Sequence, residues 1–225
     1  LAEKGAVDGT VVLAETQTSG KGRLGRQWKS PEGTGIYCSI ILRPNLALQE
    51  TSLVTFIAAI SISEAIRTLT GVETQIKWPN DILLNEQKVV GVLTEASAEM
   101  QHVNYIILGF GINVNTPTEL LPPRTIFPAS SLATEMNKKF DRVEVASLCL
   151  KQFDYWYNKL PEPDGSKKII ARWSELCGMT GRKVKVEQVN NTISGTIEGV
   201  SPDGALLVKD NRIMHTIYSG DVKLV

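Results

Sequence analysis

The sequence predicts an α+β protein: a mixed, largely antiparallel sheet flanked by helices, followed by a small β-barrel of SH3-like size. Three observations carry that expectation. Short runs of β-branched and apolar residues are joined by connections too brief for anything but hairpins. Two long segments repeat apolar residues at helical spacing. After Cys177 the chain breaks into short alternating strands separated by Asn, Asp and Gly turns.

Residues 10–15 are dense in β-branched and apolar side chains and predict a buried strand. Residues 17–26 then break all periodicity with three glycines and three basic residues. Residues 35–43 alternate with apolar side chains on both faces, which predicts a strand covered on both sides. Over residues 52–69, Leu53, Phe56, Ile57, Ile60, Ala65, Ile66 and Leu69 form the wide apolar face of a core helix. Strands are expected at 74–78, 82–85, 88–97 and 103–109, with turns at Glu86-Gln87 and 98–102. Pro117, Pro122, Pro123 and Pro128 mark a loop too rich in proline for regular structure. Helices follow at 143–160, with Val145, Leu148, Cys149, Phe153, Trp156 and Leu160 on one face, and at 167–176. In the last segment strands centre on Val184/Val186, Ile193–Ile197, Leu206/Val208 and Val222/Leu224, with turns at Asn190-Asn191, Ser201–Gly204 and Asp210-Asn211. The expected division is therefore a large domain over 1–176 and a small one over 177–225.

Composition narrows the function classes. Lys and Arg number 24 against 24 Asp and Glu, so the net charge of zero argues against a general nucleic-acid or membrane-surface binder. No apolar run approaches the roughly 18–20 residues of a membrane span, and no leader peptide is visible. Cys38, Cys149 and Cys177 are odd in number and far apart, with two His and no Cys-x-x-Cys. They predict reduced packing residues in a cytoplasmic protein and no structural zinc. The chain opens on Leu1 without Met, and its first residues read as the end of a helix, so a preceding stretch is expected.

Three motifs carry chemistry. The first is Gly20-Lys21-Gly22-Arg23-Leu24-Gly25-Arg26, followed by Gln27-Trp28. Its glycines allow close approach of backbone to ligand, and the interleaved cations suit phosphate or carboxylate. A flexible, solvated basic loop has the same composition. It is not a Walker loop, since no Gly-Lys-Ser/Thr opens a helix. The second motif, Lys77-Trp78-Pro79-Asn80-Asp81, reads either as a polar pair held at a strand edge or as a plain β-turn. Lys88 and Gly91 follow across the next turn, where an exposed lysine is the plainer reading. The third is Gly109-Phe110-Gly111-Ile112-Asn113-Val114-Asn115. Glycines within a strand mark a bulge or a close ligand, and the two Asn fall on one side.

In this order and spacing the motifs resemble the catalytic domain of biotin–protein ligases, also called biotin–[acetyl-CoA-carboxylase] ligases. The resemblance extends to Glu15-Thr16-Gln17-Thr18, Ser30-Pro31, Gly35-Ile36-Tyr37, Lys88-Val89-Val90-Gly91, Ala129-Ser130-Ser131-Leu132 and the small C-terminal barrel. It implies the catalytic fold of that family, related to class II synthetases. It implies that ATP with Mg²⁺ activates biotin as biotinyl-5'-AMP. The acyl group then passes to a lysine on the biotin carboxyl carrier domain of a carboxylase. By resemblance, Arg23, Lys88 and Asp81 are catalytic. Gln17, Gly20, Lys21, Gly22, Arg23, Lys88 and Gly91 would hold biotin. Arg26, Trp28, Asn80, Asp81 and Asn113 would hold ATP and the adenylate, with Trp28 stacked on adenine and Mg²⁺ near Asp81. A homodimer through sheet edges is the family expectation, with neither a membrane nor a nucleic-acid partner. The sequence departs from the pattern at Lys21, where family members usually carry Arg, and it begins after their Ser/Thr-Thr-Asn block. A lipoate–protein ligase and a non-catalytic biotin-binding regulatory module are the alternatives.

Overall fold

The structure, a computed structural model, describes residues 1–100, 102–122, 127–189 and 191–225. Pro123 of the proline-rich loop, Asn190 of one expected turn and Gln101 of another lie outside the described residues. Two antiparallel sheets organise the chain. The first contains β1 (Thr10–Ala14), β2 (Ile36–Leu42), β3 (Gln75–Lys77), β4 (Asp81–Leu84), β5 (Gln87–Glu99) and β6 (His102–Ile112), in the order β1-β2-β6-β5-β4-β3. All its ladders are antiparallel. Parallel contacts are confined to isolated bridges, Ile76 to Cys177 and Lys88 to Ala129. The β4–β5 turn falls at Asn85-Glu86, both with positive φ, one residue before the expected place.

Helix α1 (Ser52–Thr70) lies in the core, and α2 (Leu132–Met136), α3 (Arg142–Tyr157) and α4 (Gly165–Leu176) follow the sheet in sequence. Gly71 closes α1 in the left-handed conformation that glycine adopts without strain, its N–H bonded to Arg67 O at 2.8 Å. Asp141 caps α3 by accepting from Val143 N, and Ser131 caps the unforeseen short helix α2 by accepting from Thr134 N. With the turn before it, α1 spans Leu48–Thr70, 23 residues whose best window has a mean hydropathy of 1.5. It is therefore long and apolar enough to cross a membrane, contrary to the expectation from the sequence. Ser, Thr, Glu64 and Arg67 interrupt the apolar run, yet the many Ile, Leu, Val and Ala keep its average high. Protein covers this helix instead, with 67% of that window buried, against α3, α4 and the sheet.

The second expectation to fail is the burial of β1. Val11, Val12 and Leu13 are 41%, 40% and 56% exposed. Strand composition sets strand propensity, whereas burial depends on place in the sheet, and β1 is an edge strand.

The C-terminal sheet contains β7 (Lys183–Glu187), β8 (Thr192–Val200), β9 (Leu206–Asp210), β10 (Ile213–Ile217) and β11 (Asp221–Leu224), ordered β10-β9-β8-β7-β11. Strand β10 was not foreseen, since its Ile213 and Met214 are exposed and give no alternating pattern. This SH3-like sheet joins the larger one through specific contacts. Trp78 Nε1 donates to Gly204 O at 3.1 Å, Ser52 Oγ donates to Asp203 O, and Gly178 N donates to Ile76 O at 3.3 Å.

All three cysteines are buried and unpaired. Burial pushes the thiols of Cys38 and Cys149 up to about 12, so neither forms the reactive thiolate near neutral pH. Iodoacetamide at pH 8 is expected to leave the native protein unlabelled at these two positions and to label both in denaturant. Labelling of Cys149 in the native state, read by mass spectrometry, would contradict the packing.

Candidate active site

A row of residues across the larger sheet builds the site. Register pairs Lys77 with Asp81, Asp81 with Gly91, Gly91 with Gly111, and Gly111 with Tyr37. Paired residues of antiparallel strands share a face, and successive residues alternate faces. Val90, Val92, Phe110 and Ile112 thus go into the core, where all are 5% exposed or less. Gly91, Gly109 and Gly111 fall on the opposite face and leave it bare. The Trp28 indole lies on that floor: a Cβ on Gly91 would meet Trp28 Cζ3 at 2.8 Å, and one on Gly111 would overlap the ring. Glycine is required there by close approach.

The Gly20–Arg26 loop is ordered by its own backbone. Gly22 N donates to Arg26 O (2.7 Å), Arg26 N to Arg23 O (3.1 Å) and Trp28 N to Gly20 O (2.9 Å). Leu24 and Gly25 have φ of 54° and 72°, which reverses the chain and aligns Lys21 with Gln27. The reading as an unstructured basic loop does not hold. Gln17 Oε1 accepts from Ser30 Oγ at 2.7 Å beside Gly20, where any Cβ would strike Trp28 O.

Floor, loop and C-terminal sheet enclose a cleft of about 690 Å³, within the range of small-molecule sites. Gln17, Lys21, Gly22, Arg23, Arg26, Trp28, Asn80, Asp81, Lys88, Gly91 and Asn113 all line it. Gly20 lies beneath Gln17 and Trp28. Every expected site residue therefore gathers in one place.

Charge is concentrated around Asp81. Its Oδ1 is 2.6 Å from Lys88 Nζ and its Oδ2 is 3.8 Å from Lys77 Nζ, so Lys88 is not a free turn lysine. Lys88 Nζ also lies 5.7 Å from the Trp28 ring centroid. Burial lowers the pKa of Lys77, against which the Asp81 charge acts. Burial likewise lowers the pKa of Arg23, opposed by Asp221 and Asp81, and a guanidinium so far from neutrality keeps its charge. Lys21 is mostly exposed, 3.6 Å from Glu95.

The asparagines divide. Asn113 lines the cleft while its Nδ2 donates to Ser130 O at 2.9 Å. Asn115 faces elsewhere: its amide bonds both the N–H and the carbonyl of Phe140. Asn80 Nδ2 donates to Val92 O. The residues Trp78-Pro79-Asn80 form the β3–β4 turn, with a cis bond before Pro79, and Asp81 opens β4.

Two residues were missed from sequence. Lys77 had a signal, since it stands four residues from Asp81 in the same motif. Asp221 had none. It comes from β11 of the C-terminal sheet, lines the cleft and forms an ion pair with Arg26, 195 positions away in the chain. Arg26 is about half exposed, so solvent reduces the pair to about 1 kcal/mol. Asp221→Asn is expected to free Arg26 and tighten anion binding in the cleft about fivefold, measurable by titration with a nucleotide. Unchanged affinity would mean that the pair does not restrain Arg26.

The sequence aligns with the Biotin/lipoate A/B protein ligase family over residues 2–113 and with the biotin protein ligase C-terminal domain over residues 180–225. It is 38% identical over 224 residues to the bifunctional ligase/repressor BirA of Bacillus subtilis, covering 100% of this chain and 69% of that protein. The chain belongs to the biotin protein ligase family. The ligase is also 29% identical to the biotin–[acetyl-CoA-carboxylase] ligase of Paracoccus denitrificans, over 94% of this chain and 88% of that one. Among solved structures it superposes on the biotin protein ligase of Aquifex aeolicus in complex with biotin and ATP. That match has a TM-score of 0.83 and 33% identity, covering 100% of this chain and 92% of the other. Its fold, a helix-flanked sheet with a separate C-terminal sheet, and its class, an ATP-dependent ligase, are those of this family.

Proposed function

We propose that this ligase joins biotin to AMP within the described cleft and then passes biotin to a lysine of a carboxylase carrier domain. One observation supports it above others: Arg23, Arg26, Lys77 and Lys88 line a single cleft around Asp81. Biotin's carboxylate and the α-phosphate of ATP are both anions, so their approach needs fixed positive charge. Arg23 and Lys88 hold these two groups together, and Arg26 exchanges Asp221 for phosphate. Plain vitamin binding has no use for so many cations.

The Trp28 indole laid over the glycine floor gives biotin's fused ring a flat, apolar seat, edged by Gln17. Trp28 lies on Gly91 and Gly111, two positions along this floor, and this supports a place for its indole in the biotin seat as an alternative to the expected stack on adenine. Asn80 and Asn113 flank the nucleotide side. Among the described residues no three His, Cys, Asp or Glu side chains gather as a metal site. Asp81 and Asp221 are the aspartates of the cleft, which suits Mg²⁺ held mainly by triphosphate oxygens. When bound, that ion would neutralise charge on the departing pyrophosphate. Asp81 already receives two ammonium groups, the chemistry that an acceptor lysine brings, and it takes the lysine's proton. The exposed β1 edge supports the sheet-edge homodimer, and the three free thiols support a cytoplasmic location.

The test is twofold. Biotin, and not lipoate, is expected to drive exchange of labelled pyrophosphate into ATP. A carrier domain incubated with enzyme, biotin and Mg-ATP should gain the mass of one biotinyl group. Lipoate-driven exchange alone would sink the biotin reading, and binding of biotin without exchange would sink the enzyme.

A further inference from the structure

A second cavity of about 210 Å³ lies beside the main cleft, and the two share Arg23, Asn80, Val92 and Leu93 as walls. The rest of its lining comes from four directions. Thr51, Ser52, Thr55 and Phe56 belong to the start of α1, Trp78 and Pro79 to the β3–β4 turn, Thr94 and Ala96 to β5, and Gly204 and Tyr218 to loops of the C-terminal sheet. We propose that this cavity admits the side chain of the acceptor lysine in the transfer half of the reaction. The proposal rests on the ligase reading above and adds the route by which the second substrate arrives.

Size decides first. The space equals about seven waters at roughly 30 Å³ each, and it falls below the ~300 Å³ at which ligand pockets begin. Biotin and a nucleotide do not fit, whereas four methylenes and an amine do. Lining decides next. Phe56, Trp78, Pro79, Val92, Leu93 and Ala96 give an apolar sleeve for a lysine stem. Hydroxyls on the walls, Thr55 bonded to Thr94 at 2.7 Å among them, replace the water lost by the amine. At the mouth, Tyr218 donates to Asp203 Oδ2 at 3.0 Å, and that carboxylate, which its hydrogen bonds hold below its ordinary pKa, attracts an ammonium.

Charge completes the argument. Among the described residues, Arg23 is the one charged side chain in this lining, and it stands at the wall shared with the main cleft. A lysine ammonium, with a reference pKa near 10.4, is drawn in at the acidic mouth and meets a like charge at the inner end. Like charge favours the neutral amine, which is the nucleophile. The amine nitrogen attacks the acyl carbon of biotinyl-AMP. The amide C–N bond forms, the C–O bond to phosphate breaks, and AMP leaves with the electron pair. The lysine gives up two protons in all, one to become nucleophilic and one as the amide forms, to Asp81 and solvent.

Filling the cavity tests the route. Thr94→Leu and Ala96→Leu each project bulk into it, and neither position is one assigned to adenylation. In the full chain, biotin-dependent pyrophosphate exchange is expected to stay within twofold of wild type. Transfer from preformed biotinyl-AMP to a carrier domain is expected to fall at least tenfold, and Thr94→Ser is expected to restore it. Normal transfer by both filled variants overturns the route. Equal loss of both half-reactions also overturns it, by making the cavity part of the adenylation site. Absence of exchange in the wild-type enzyme would strike the ligase reading and leave no acceptor step to assign.

Discussion

Arg23→Ala is expected to lower biotin-dependent pyrophosphate exchange by about 10²–10³-fold, the usual loss when one fixed donor is removed from developing charge. Arg23 is the largest contributor for three reasons. Its loop is pinned by three backbone hydrogen bonds, so little reorganisation accompanies the reaction. It is buried enough to have a lowered pKa, and a charge in a low-dielectric site acts more strongly than one in water. It also lines both the main cleft and the smaller cavity beside it. Arg23→Lys should recover only part of the rate, because an ammonium lacks the planar fork that grips two oxygens. Thermal unfolding of Arg23→Ala should match wild type, since its desolvated charge offers no stability to lose. Exchange within threefold of wild type would remove Arg23 from adenylation.

The largest expected loss of stability is at Trp173. Its ring is 1% exposed and stacks on Phe56 with centroids 4.3 Å apart and planes at 12°. Phe56 belongs to α1 and Trp173 to α4, so the pair fastens the last helix of the large layer to the core. Trp173→Ala leaves a cavity beside the Phe56 ring in the core, and about 3–5 kcal/mol of stability should disappear. Trp173 Nε1 has no hydrogen-bond partner, so Trp173→Phe keeps most of the contact and loses no bond. It is expected to cost much less than the alanine. Denaturant titration separates the two variants, and equal losses would show that the stacked contact is not what stabilises this layer.

The limits of sequence reading follow from which interactions are local. Periodicity located α1 to within a residue or so, because Leu53, Phe56, Ile57 and Ile60 recur within consecutive turns. It located β2, β5 and β6 for the same reason. Strand β10 escaped because Ile213 and Met214 are both exposed and leave no alternation to detect. Short helix α2 escaped because five residues carry too little periodicity, although its Ser131 cap was in plain view.

For the site, the motif residues were legible because glycines and cations are chemically unusual at those positions. Their mutual geometry was not. Asn113 and Asn115 looked equivalent at alternate positions, yet one lines the cleft and the other ties down Phe140. Trp28 looked like a free aromatic platform, and only the register of Gly91 against Gly111 showed that its indole rests on a glycine floor.

The sequence by itself determined the α+β class, the order of the strands and helices apart from β10 and α2, and a family whose motifs carry the glycines and cations of the site. Tertiary structure alone decided that β1 is an exposed edge, that Lys77 joins the Asp81 pair, and that Asp221 reaches Arg26 from the C-terminal sheet. The physical reason is range. Propensity, capping and amphipathic spacing act over a few residues and are written in neighbouring letters. Burial, ion pairing and cavity shape depend on chain segments far apart in sequence, as Arg26 and Asp221 are, and exist only once the two sheets have packed.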